Sequence, residues 1–142
     1  MRIAIAVVVL VAAAACASVI SPEAPGVHFS TAETAYNPGE TVVLRLTNAG
    51  DETYVYNICY HSTFERVRGS IGVPVELGMP DCPAVMQKLD PGETAELSVP
   101  LPETTAPGRY RVRTRLWPFG SLPERHRGLV AETPVFTMAA EH

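Results

Sequence analysis

Few side chains in this sequence have chemistry to offer, and the densest set lies late in the chain. Arg109, Arg111, Arg113 and Arg115 alternate with Tyr110, Val112, Thr114 and Leu116. In an extended strand successive side chains point to opposite faces, so this period of two puts four guanidinium groups on one face and the less polar set on the other. Trp117 and Phe119 continue the arginine parity. Guanidinium forks hold carboxylate or phosphate groups at two points, and an indole adds apolar area and a cation–π contact. Arg111, Arg113, Arg115, Trp117 and Phe119 are therefore the candidate binding face. The competing reading is a solvated sheet face whose arginines pair across strands with glutamates such as Glu132 or Glu52. Exposed pairs of that kind contribute only about 0–1 kcal/mol.

Other chemistry finds no pattern. The one lysine, Lys88, has no glycine loop before it, and GxSxG, HExxH, EF-hand and CxxC spacings do not occur. The expectation is a protein that is not an enzyme and carries no cofactor. His28, His61, His126 and His142 fall on separate segments, and with Met79, Met86 and Met138 they match no copper-site spacing. They read as surface histidines and core methionines, with no metal site. Without Arg2, ten basic residues face fifteen acidic ones, nine of the ten being arginine. That balance argues against nucleic acid as a partner, because nucleic acid rewards basic patches.

Three cysteines divide into two kinds. Met1-Arg2 is followed by an apolar run over residues 3–15 that ends in Ala13-Ala14-Ala15-Cys16. A charged start, a short apolar core and small residues at the exit make a secretory signal. The run is short for a membrane span, which needs about 20 residues. The small residues before Cys16 resemble the lipobox of bacterial lipoproteins, which implies acylation of Cys16 and attachment to a membrane through lipid. Ala13 stands where that family carries leucine, so cleavage after Ala15 or Ala17 with plain secretion, or an uncleaved anchor, stays open. Export places Cys59 and Cys82 in an oxidising compartment and makes them a disulfide pair; a metal pair or a reactive thiol is the alternative. Closing a loop of about 24 residues would stabilise the fold by roughly 3 kcal/mol.

These residues need a frame. Residues 16–26 are small and proline-bearing and read as a lipidated cysteine with a flexible tether. From residue 27 to 139, short β-rich runs are cut by Pro-Gly and Asn-bearing turns, with 13 prolines and 10 glycines in the chain. Strands are expected over residues 28–36, 41–47, 52–59, 64–68, 73–77, 84–89, 94–99, 109–117 and 130–138. Val42, Leu44 and Leu46 point inward on one run and Ala95, Leu97 and Val99 on another. Seven to nine strands in this length predict an all-β, immunoglobulin-like antiparallel sandwich. Tyr110 follows Pro107-Gly108 at the start of a late strand, the place of a tyrosine corner, with a plain core aromatic as the alternative; Gly108 and Tyr110 are structural candidates.

An ordered series runs through these turns: Tyr36-Asn37-Pro38-Gly39-Glu40-Thr41, Leu46-Thr47-Asn48, Tyr56-Asn57-Ile58-Cys59, Cys82, Leu89-Asp90-Pro91-Gly92-Glu93-Thr94 and Pro107-Gly108-Arg109-Tyr110-Arg111. The series resembles bacterial Ig-like lipoprotein domains of unassigned activity. That resemblance implies an envelope-tethered binding or structural module, lipid-anchored on the periplasmic or outer side, that meets a protein or an anionic envelope partner. The Leu-x-Pro-Gly-Glu and Gly-x-Tyr elements are also similar to the intracellular proteinase inhibitor family, which implies as the alternative an inhibitor presenting residues 68–82 or 117–129. A small-ligand or metal carrier ranks last, because small sandwiches fill their interiors with side chains.

Labelling with palmitate is expected to mark the exported protein, and Cys16→Ser to release it from the membrane. Unchanged processing and location of the Cys16→Ser protein would contradict acylation at this residue.

Overall fold

The computed structural model describes residues 22–140. The expected signal segment and Cys16 lie outside the described residues. Eleven strands build two packed sheets: β1 (Val27–Thr31), β2 (Ala35–Tyr36), β3 (Thr41–Asn48), β4 (Tyr54–Tyr56), β5 (Thr63–Arg68), β6 (Ile71–Val75), β7 (Gln87–Leu89), β8 (Thr94–Pro100), β9 (Gly108–Pro118), β10 (Leu129–Glu132) and β11 (Phe136–Met138). The smaller sheet has the order β1-β3-β8; the larger has β9 at its centre. β11 and then β10 flank β9 on one side, and β5 and then β4 flank it on the other. The pairing is antiparallel except for β2 against β11 and a bridge between Glu23 and Val130. The expected all-β immunoglobulin-like sandwich is the observed fold.

Alternation in the sequence becomes the core. Val42, Leu44 and Leu46 of β3 are fully buried, and they meet Tyr110, Val112 and Leu116 from β9 in one apolar cluster with Phe64, Leu89 and Phe136. Val99 is fully buried, while Ala95 and Leu97 pack on the edge of that cluster. Two turns of the same sequence type bracket this core. In each, the residue before Pro-Gly accepts from the glutamate N–H, as Asn37 O from Glu40 at 3.1 Å and Asp90 O from Glu93 at 3.0 Å. The glutamate carboxylate in turn accepts from Asn37 N at 2.8 Å and from Asp90 N at 3.1 Å. Gly39 and Gly92 both take φ +84°, the left-handed conformation that favours glycine.

Asn48 joins the sheets. It is completely buried at the end of β3, and its amide donates to Glu52 O at 2.6 Å and to Leu89 O at 3.0 Å. Its side-chain oxygen accepts from Gly50 N at 3.1 Å, and its backbone bonds Glu93 O and Gly92 N. On the opposite end, the Tyr110 hydroxyl donates to Ala106 O at 2.6 Å, the backbone bond that a tyrosine corner makes. Gly108 opens β9 with φ +148°, and Arg66 Nε stands 3.1 Å from where a Cβ would be.

Several expected elements divide. Residues 28–36 split into β1 and β2, because the chain leaves the smaller sheet for the larger between them. Residues 130–138 split at Thr133-Pro134-Val135, where proline removes a ladder donor. Residues 52–59 and 84–89 contract to β4 and β7. Cys59 and Cys82 form the expected disulfide, with Cα atoms 5.5 Å apart, and staple the irregular stretch before β7 to the end of β4. Residues 22–26, expected to be flexible, are bonded to the sandwich: Ala24 is buried, Val130 N donates to Pro22 O at 2.9 Å, and Ala24 N donates to Val130 O at 3.0 Å. Residues 22–26 are thus part of the sandwich, because their backbone groups find partners on β10 and on the turn after β3.

Asn48→Ala strands Leu89 O, Glu52 O and Gly50 N together. It is expected to lower stability by about 2–4 kcal/mol in urea denaturation; a loss under about 1 kcal/mol would remove Asn48 from its role.

Candidate binding face

The outward face of β9 is set by register. Glu65 of β5 stands opposite Arg111, and Thr63 opposite Arg113. From the other side, Glu132 of β10 stands opposite Arg113, and Val130 opposite Arg115. Arg111 Nε donates to Glu65 Oε2 at 2.6 Å, and Arg113 Nη1 reaches Glu65 Oε1 at 3.5 Å. Glu132 closes the ladder, 2.8 Å from Arg113 Nε and 3.7 Å from Arg111 Nη1. The Arg113 Nε contact is an ion pair without hydrogen-bond alignment, since that N–H has no directional acceptor. The Glu65 side chain is only 8% exposed. The hydrogen bond that Arg111 donates to Glu65, ahead of the opposing effect of burial, holds the Arg111 guanidinium above its ordinary range. Removing one member of such a half-buried set leaves the others uncompensated, which is why the set is stable only as a unit.

The face therefore differs from the expected row of free arginines. Arg111 and Arg113 are paired, with Glu132 as the sequence suggests and with Glu65, which sequence reasoning missed; Glu52 instead lies near the Tyr54 hydroxyl. Phe64-Glu65-Arg66 puts Glu65 in outward phase, but only the register shows that it meets Arg111. Trp117 is buried rather than exposed, because residues 119–128 fold back over it. Its indole N–H donates to His126 O at 2.8 Å, and its ring meets His61 edge-on at 4.8 Å. Phe119 is exposed beyond the end of β9, with Lys88 Nζ 4.5 Å above its ring. Arg109 and Arg115, at the two ends of the row, stay exposed; Arg115 Nη1 donates to Arg127 O at 2.6 Å, and among the described residues no carboxylate lies within ion-pair distance of either.

Beside Arg115 lies a recess of about 190 Å³ lined by His61, Thr63, Glu65, Arg113, Arg115 and Val130. Burial, then the positive charge of Arg115, pushes the His61 imidazole below its ordinary 6.5. The recess is thus a shallow pit with a neutral imidazole, one free guanidinium and one paired guanidinium in its walls. A larger open groove of about 610 Å³ runs between Phe64 and residues 74–79, with Val75, Leu77 and Met79 on its apolar side. Of the two loops considered for inhibition, residues 68–82 include the paired strand β6 and the disulfide, and residues 117–129 are pinned by Trp117. Among the described residues no three His, Cys, Asp or Glu side chains come together as a metal site would need.

The sandwich agrees with what similarity shows. The family model described as a bacterial Ig-like domain matches residues 23–131. The chain belongs to that family. No curated protein matches this bacterial Ig-like domain. Among solved structures, the ASH / PapD-like domain of human CEP192 (PapD-like domain 7) is similar over 98% of this chain and 99% of that one, at 17% identity and a TM-score of 0.39. Among the described residues no helix of this bacterial Ig-like domain is long and apolar enough to cross a membrane.

His61 is expected to titrate below 6.5 by NMR, and Arg115→Ser to move its midpoint upward. Its contribution to stability is complete above pH 6.5 and falls as the pH drops below that value, because the unfolded chain takes up the proton first. A midpoint above 6.5 in the parent would contradict the half-buried placement of the ring.

Proposed function

We propose that this bacterial Ig-like domain is a non-enzymatic binding module, exported and held at the cell envelope by an acyl group on Cys16, that docks a carboxylate of a partner protein against Arg115. One observation carries this reading: Arg115 borders the recess between β5, β9 and β10 with no carboxylate of its own, while the neighbouring arginines are neutralised. A partner carboxylate would complete the ladder by one rung, in a place where a guanidinium fork offers two-point contact. The paired Arg111 and Arg113 set the orientation of that rung without competing for the partner's charge. The acidic remainder of the domain, at net charge −4 for the whole chain, would repel an acidic partner from other surfaces.

Capture from membrane extract by the intact protein tests this. Arg115→Ser is expected to weaken capture about tenfold and to make residual binding less sensitive to salt. Arg45→Ser, which breaks the exposed pair with Glu96 on the other sheet, is expected to leave capture unchanged. Equal capture by parent and Arg115→Ser would overturn the proposal, and recovery of an anionic polymer in place of a protein would overturn the partner class.

A further inference from the structure

The place where the chain joins the sandwich says which end of the domain faces the membrane. This inference rests on the proposed acylation of Cys16. Five residues, 17–21, separate Cys16 from Pro22. Fully extended, that stretch reaches no more than about 20 Å. At Pro22 the chain is already hydrogen-bonded to Val130, and residues 22–24 run parallel to β10. β10 starts at Leu129, opposite Leu116 near the end of β9. The N-terminal direction from Pro22 therefore points to the end of the sandwich that carries residues 119–128. β9 has 11 residues, and at a strand rise of about 3.3 Å per residue it is roughly 35 Å long. The tether is shorter than the domain, so the opposite end, with the β5–β6 turn at Gly69-Ser70, cannot stand at the bilayer while the joined end stands away from it.

The near end has side chains suited to a lipid surface. Phe119 and Leu122 are 59% and 54% exposed, and Arg125 and Arg127 are exposed on the same loop with Glu124 as its one acid. Lys88 covers the Phe119 ring at 4.5 Å. Apolar rings and aliphatic groups enter the headgroup region while basic residues pair with phosphates. The other turns at this end carry Asp51, Glu52, Asp90 and Glu93. They connect the two sheets on the β4 and β7 side of β9 and border the loop at Phe119, whose N donates to Thr53 O at 2.9 Å, so the basic and apolar contact lies on the side of the loop that leads into β10. We infer that residues 119–128 rest on an anionic bilayer surface, with Phe119 and Leu122 entering the interface and Arg125 and Arg127 on lipid phosphates. The recess at Arg115 then opens sideways and the β5–β6 turn points away from the membrane.

The test uses the full acylated chain in vesicles of phosphatidylcholine and phosphatidylglycerol containing a nitroxide lipid. An environment-sensitive fluorophore is placed on Leu122→Cys or on Ser70→Cys, and mass spectrometry first establishes the acyl group on Cys16. Quenching is expected to be at least about threefold stronger at position 122 than at 70, and Arg125→Glu with Arg127→Glu is expected to reduce it. Acylated protein with equal quenching at both positions, or more at 70, overturns the orientation and leaves the tethering intact. An unacylated Cys16 removes both.

Discussion

A buried amide at one residue holds the two sheets in a single relation. Asn48 ends the central strand of the smaller sheet, and its side chain spans to Leu89, the last residue of a strand of the larger one. The same side chain shapes the turn between β3 and β4 by accepting from Gly50 and donating to Glu52. A fully buried amide has to find all its partners within the protein, so the β3–β4 turn, the β7–β8 turn and the spacing between sheets are fixed together. From that junction β4 and β7 are laid beside the end of β9, which in turn places Arg115 and the loop over Trp117.

Much of the frame could be read directly from the sequence. Alternation in residues 41–47 gives the buried face of β3, and the two turns of Pro-Gly-Glu type behave alike because in each the glutamate bonds the residue before proline and the glycine takes the left-handed conformation. The parity of Arg109 to Arg115 against Tyr110 to Leu116 is correct along β9. What could not be read depends on contacts between distant segments. Pairing of Arg111 with Glu65 is a matter of register across 46 positions, and a period of two carries no register. Trp117 follows the arginine parity yet is buried, because the fold-back of residues 119–128 overrides alternation at the end of a strand. Sheet switching between β1 and β2 leaves no periodic signature, since both pieces keep extended backbone.

The outer face of β9 shows how a row of like charges is made compatible with a half-buried surface. Two carboxylates, one from each flanking strand, meet the two central guanidinium groups, and Arg109 and Arg115 are left at the two ends of the row, Arg115 beside a half-buried imidazole. Uncompensated charge is thereby moved from the middle of the face to its two ends.

Gly72 on the edge strand β6 gives this arrangement a genetic consequence. A Cβ at position 72 would run into the Glu65 carboxylate and lie 2.7 Å from Arg111 Nη2. The anion therefore occupies the volume that a side chain on the neighbouring strand would fill. Positions 65 and 72 are coupled: a side chain gained at 72 would displace the ends of the Glu65 and Arg111 side chains and disturb the ion pair between them. Variation on this edge strand is thereby written into the charge of a face one strand away.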